Sequence, residues 1–190
     1  GAGANLTVTS AATAVLEANI DVNNSIDFTG LPSGNAVTVE NDITVQTANA
    51  DIDVASVRDV NINDDGGNHT LTLDAAGTMT LAGVGNTDRF AALTLSTGGV
   101  LNLHGASVRT AGGAIDATGS ADIDLQQAVS FDSNGGNITF PAGGAIDADG
   151  SSWGLSVDAT SGGNVQLGVV GGGAPPALGS LTVNGNDVTL

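Results

Sequence analysis

The chain repeats a three-residue unit with apolar ends and a polar middle, as in Leu71-Thr72-Leu73, Met79-Thr80-Leu81 and Leu155-Ser156-Val157. Eighteen such units run from residues 6–8 to residues 188–190, and none has an apolar middle, so each has a defined inside and outside. Period-two alternation places the two ends on one face of a strand and the middle on the other. Thr fills half of the middles, and Thr suits a solvated β surface. Gly or Asn interrupts every longer stretch, and no i, i+3, i+4, i+7 stripe of apolar residues occurs, so no helix is predicted. The one helix-tolerant run, residues 11–20, reads as strand and turn.

Most units begin 6 to 11 residues after the previous one, with Gly, Asn, Asp or Ser between them. A β-sandwich strand is about five or six residues long, and strands this short would pair over too little length in a sandwich. They fit a parallel β-solenoid, where each strand stacks on its counterpart in the next coil and the inward residues form one apolar column. Three strands and three corners need about 20–25 residues, which predicts roughly eight coils of three short strands and a body near 40 Å long at about 4.8 Å per coil. In 71–85 the two units become consecutive sides of one coil, with a corner at 74–77, Leu71, Leu73, Met79 and Leu81 inward, and Thr72 and Thr80 facing water. Phe28, Phe131 and Phe140 end their units and belong to the column.

Longer echoes agree. Residues 71–85 align with 155–171, and 92–103 with 180–190, at a period of about four coils. "AIDATGS" at 114–120 returns as "AIDADGS" at 145–151, and "ASVR" stands at both 55–58 and 106–109. The insertions fall at Gly-rich corners. The loosest stretch, 171–179, reads as an outward loop and not as a boundary, so 1–190 is expected to be one continuous solenoid.

Charge narrows the function classes. Eighteen Asp and two Glu face three Arg and no Lys, for a net charge of −17. Nucleic acid and anionic lipid need cationic groups to displace counterions, so neither is an expected partner. No apolar run reaches about 18 residues, so membrane insertion is not expected. The sequence contains no Cys, which removes disulfide and thiol chemistry. The first ten residues lack the basic start and apolar core of a signal peptide, and the last four stop within a strand pattern; a mature product or a segment of something longer is the expectation.

The stretches "GGNITF", "GGAIDADG", "LSVDATSGGNVQLG" and "LGSLTVNGNDVTL" resemble the repeats of large bacterial exoproteins, the filamentous-haemagglutinin-like and autotransporter-like adhesins. The likeness covers most of the chain and is best over 68–190. It implies a right-handed β-helix outside the cell, in a stalk, fibre or matrix.

β-Helices also carry polysaccharide lyases and hydrolases. Glycoside hydrolysis needs two carboxylates at a suitable separation, and outward residues such as Asp53, Asp116, Asp124 and Asp147 offer the type. Lyase chemistry adds cations, of which only Arg58, Arg89 and Arg109 exist, and one Trp with no Tyr makes a poor sugar platform. Calcium needs six to eight oxygen ligands, and 61–68 and 147–152 carry suitable types near Gly turns. Neither is an EF-hand loop or a tandem nonapeptide array, and Asp and Asn also make corner turns by themselves. His69 and His104 stand alone in sequence, without the companions of a transition-metal site. No nucleophile-elbow motif supports a Ser-His-Asp triad. Single Thr residues alternating with Asp, Asn and Gln do not make the paired array of an ice-binding face. Trp153, outside the units, is the one aromatic with a possible contact role.

The expectation is therefore a non-catalytic structural or adhesive module with no catalytic, cofactor or metal residues, exposed on a cell surface and stacking end to end on itself into filaments. A polysaccharide-active enzyme and a calcium-dependent carbohydrate-binding module are the alternatives.

Overall fold

The alternation predicts strands whose backbone groups pair outside their own segment, and the observed ladders are all parallel and all link one coil to the next. The computed structural model describes residues 3–8, 13–32, 35–54, 61–105, 107–171 and 177–190, among which there are strands and turns but no helix. They form a parallel β-solenoid of about seven turns, close to the roughly eight coils expected from the spacing. Each turn has three faces, visited in the order face 1, face 2, face 3.

On face 1 the inward column is Leu6, Ile26, Ile52, Met79, Leu101, Ile123, Ile146 and Val170, each beside the next. On face 2 it is Ala14, Val37, Ile62, Val84, Val108, Phe131, Val157 and Val183. Val84 contributes only a bridge there, joining a three-stranded to a four-stranded stack. Face 3 begins with Ile20 beside Val45 and continues through Ile43, Leu71, Leu93, Ile115, Ile138, Val165 and Val188. Among the described residues each face thus holds eight rungs, joined by seven steps from coil to coil.

The columns meet in one core. Phe90, Phe131 and Phe140 are fully buried within it, and Phe131 and Phe140 meet edge to face with ring centres 4.9 Å apart. Phe28 is buried as well. Edge-to-face contact suits the ring quadrupoles and adds to the burial itself.

Three features depart from a uniform code of three-residue strands. Ala92–Leu103 and Ile115–Leu125 run through the corner from face 3 to face 1 without ending. They hold parallel pairing through register shifts where Ser96, Thr97, Gly98, Gly99, Gly119 and Ser120 leave the bend free of bulk. The corner in 71–85 falls after Ala75, the last residue of Thr70–Ala75, because Ala75 is itself buried. Thr80, expected in water, is only 7% exposed: Asp53 and Asn102 flank it on the neighbouring rungs and its hydroxyl meets the Asp53 carboxylate. Thr72, by contrast, stays half-exposed.

Corners use small polar residues. Thr47, at the end of its strand, and Thr110 and Ser133, just past theirs, turn inward, and each hydroxyl donates to the carbonyl three residues on, at Ala50, Gly113 and Gly136. The hydroxyl thereby satisfies itself and a turn carbonyl together, as a buried polar group must. Among the described residues no buried side-chain N or O lacks a partner. In the run 11–20, the described part forms the strand Ala14–Leu16, as read. The segment 55–58, with Arg58, and most of the loop 171–179 lie outside the described residues.

Candidate functional site

Asn and Asp cluster at the corners because their short side chains bond nearby backbone. Here the bonds reach across coils. The Asp42 carboxylate accepts the Thr70 N–H at 2.7 Å, and Asp51 accepts that of Thr78 at 2.7 Å. Asp122 accepts from Ala145 at 2.8 Å, Asn61 from Gly83 at 2.9 Å and Asn137 from Asn164 at 2.9 Å. In each case the oxygen belongs to one coil and the N–H to the next, and all three faces have such links. The Thr70 N–H holds the Asp42 carboxyl below the ordinary Asp value. These oxygens interlock the coils.

The loop after the strand Asn61–Asp64 is the densest polar cluster. Asp64, whose side chain is fully buried, accepts the N–H groups of Gly66 at 3.1 Å and Asn68 at 2.6 Å on one oxygen. Its other oxygen takes the His69 N–H at 3.1 Å and the His69 ring Nδ1 at 2.9 Å. Asp65 stands 3.2 Å from the same ring nitrogen. Gly66 and Asn68 adopt positive φ, 93° and 70°, which Gly and Asn tolerate best. Spacing in the sequence did not disclose this grouping, since His69 has no metal-ligating companion at a recognisable interval; the turn residues Gly66-Gly67-Asn68 were the available signal.

Asp64, Asp65 and His69 put three possible metal-ligand atoms within 4.8 Å of one another. Calcium wants six to eight oxygens. Asp64 already accepts four hydrogen bonds, Asn61 serves Gly83, and Asn63 serves Thr87 at 3.0 Å. Within 61–68, Asp64 is thus engaged in folding the loop, and Asn61 and Asn63 in joining it to the next coil. At 147–152, Asp149 accepts a hydrogen bond from Gln126 at 3.0 Å.

Two of the outward Asp residues meet: Asp124 stands directly beside Asp147 on the next rung. Asp53, Asp124 and Asp147 lie on face 1, and Asp116 lies on face 3. Burial raises the Asp53 carboxyl above its ordinary value, with Asp51 and Asp27 adding to the rise and the Thr80 hydroxyl opposing it. Burial likewise raises Asp124, helped by Asp149, Asp147 and Asp122.

Arg89 and Arg109 are elsewhere. Arg89 donates to Asp132 at 2.6 Å and to the Thr110 carbonyl at 3.0 Å, and Arg109 approaches the same carboxylate at 3.6 Å. Burial works to raise Asp132, but the Arg89 hydrogen bond, the Asn134 N–H and the two guanidinium charges outweigh it and hold the carboxyl low. Trp153 packs partly buried on the core, and its indole N–H donates to the Asp149 carbonyl at 3.2 Å. His104 is half-exposed at the end of a strand.

A groove of about 530 Å³ opens on face 3 over the last coils, between Asn137, Thr139, Asn164, Gln166, Asp187 and Thr189. It offers amides, hydroxyls and one carboxylate, whereas glycoside hydrolysis takes two. Comparison with protein-family models, curated proteins and solved structures returns no match.

Proposed function

We propose that this chain is a structural module: a β-solenoid rod that sets distance within an extracellular stalk, fibre or matrix and presents its outer faces to neighbours. One observation carries the reading. Many of the polar side chains are spent on joining coils, as in Asp51 to Thr78, Asp122 to Ala145 and Arg89 to Asp132. An active site needs such groups held ready for a substrate. The extracellular setting is inferred from the likeness to exoprotein repeats.

End-to-end self-association belongs to the same proposal. Open rungs present unpaired N–H and C=O groups that another coil can take up. Electron microscopy and sedimentation over a range of concentrations test this, with rods that lengthen as concentration rises as the expected result. Particles that stay monomeric and unstacked at every concentration overturn the assembly. Release of product from acidic or neutral polysaccharides would overturn the non-catalytic role.

A further inference from the structure

The solenoid does not spread its charge evenly. On face 1 the outward positions of the first seven rungs carry, in order, Thr7, Asp27, Asp53, Thr80, Asn102, Asp124 and Asp147. Asp27 therefore lies directly beside Asp53, and Asp124 directly beside Asp147. Parallel rungs stand about 4.8 Å apart, close enough for like charges directly opposite to weaken pairing. Two neutral rungs, Thr80 and Asn102, separate the two acid blocks.

Each block is reinforced along its strands, because residues two apart share a face. Asp51 precedes Asp53, Asp122 precedes Asp124, and Asp149 follows Asp147. No arginine among the described residues answers them: Arg89 and Arg109 are paired with Asp132 on face 2. His104 follows Asn102 by two positions and is the histidine nearest in register to the second block.

The acids in a block are not equivalent. Asp27 accepts the Thr29 N–H at 2.7 Å, Asp51 that of Thr78, Asp122 that of Ala145, and Asp149 the Gln126 amide. Asp53 and Asp124 stand in the middle, partly buried between them. We propose that face 1 is a proton-responsive face, whose two acid blocks loosen the stack of coils at neutral pH and tighten it in mild acid. A protonated Asp53 or Asp124 stops repelling its neighbours and offers an O–H to a carboxylate on the same face.

The direction follows from linkage. Burial and neighbouring carboxylates raise both carboxyls in the folded chain. The folded form then holds these protons more tightly than the unfolded chain does. The resulting stability is fully present below the unfolded value, taken as 3.8, and is lost as pH rises through the raised folded values. Acids held low, such as Asp42 and Asp132, act in the opposite sense and at lower pH. The rod should therefore be most stable in mild acid.

The proposal concerns the rod itself and stands or falls apart from its place in a cell. The test is thermal unfolding between pH 7 and pH 4.5 at constant ionic strength, for the natural chain, the double variant D53N/D124N and the control D88N. The natural chain should melt at a higher temperature at pH 4.5 than at pH 7. The double variant should start higher at pH 7 and lose most of that gain, while D88N keeps it. A melting temperature that is flat or falls towards pH 4.5 overturns the proposal, as does a double variant that keeps the full gain. Carboxyl carbon NMR titration of the natural chain needs no variant. Asp53 and Asp124 must take up protons above the ordinary Asp value, and titration at or below it also overturns the proposal.

Discussion

Arg89 and Asp132 are 43 residues apart in sequence, yet Nη2 of one lies 2.6 Å from Oδ2 of the other. Val84, Val108 and Phe131 mark three successive rungs of face 2. The guanidinium, just past the first, therefore reaches a carboxylate just past the third, bonding the Thr110 carbonyl on its way. One side chain clamps three coils.

Removing that clamp should cost stability. Charge-assisted hydrogen bonds contribute about 1.5–3 kcal/mol, less where solvent screens them. Both side chains are about a quarter exposed, so R89A should lose about 1 kcal/mol in denaturant unfolding. R89K should not restore it, since an ammonium lacks the fork that serves Asp132 and Thr110 together. Because Asp132 is held low, its contribution is present above the ordinary Asp value and is lost as pH falls through the folded value. The difference between natural chain and R89A should therefore shrink in strong acid.

The glycine column at the corner between faces 2 and 3 gives a sharp contrast. A Cβ on Gly136 would run into the carbonyl of Gly113, and one on Gly163 into the carbonyl of Gly136. Backbone cannot step aside without disturbing the coil beneath. G136A should cost about 1–3 kcal/mol through overpacking. Gly143 has no atom within 4 Å of its would-be Cβ and no positive φ, so G143A should be neutral or slightly stabilising. Equal melting temperatures for the two variants would refute the close approach.

Phe131 and Phe140 anchor the core of the later coils. F131A removes a fully buried ring and its edge-to-face partner, and should cost about 3–5 kcal/mol. Repeat bodies fail locally, since each coil touches only its neighbours. Hydrogen exchange should therefore quicken first in 107–158 and last in the early coils.

The loop at 64–69 tests the metal question directly. D64A strips three backbone N–H groups of their acceptor. That should cost at least about 1–3 kcal/mol. With Asp64 already occupied, added calcium should leave the melting temperature of the natural chain unchanged. A calcium-dependent rise that disappears in D64A would instead make the loop a cation site.

The triplets alone were sufficient to read the parallel solenoid, three faces to a coil and the inward positions of Leu71, Leu73, Met79, Leu81, Phe131 and Phe140. That information is local: period two decides which way a side chain points, whatever lies above or below it. Corners were less legible. Thr47, Thr110 and Ser133 look like surface residues until the turn carbonyl three positions on is seen to receive them. Thr80 is buried by what stands on the adjacent rungs, which its own triplet does not state.

Everything between coils belongs to the tertiary structure. Asp27 faces Asp53, Arg89 reaches Asp132 and Asp122 caps Ala145 because the loops in each turn set which residue lands on which rung. A change of one residue in a single corner would shift those meetings and leave every triplet intact. The sequence by itself determined that coils form and which face turns inward, through alternation along a strand. Only the stacking decided which charges meet, because that depends on the summed length of three sides and three corners.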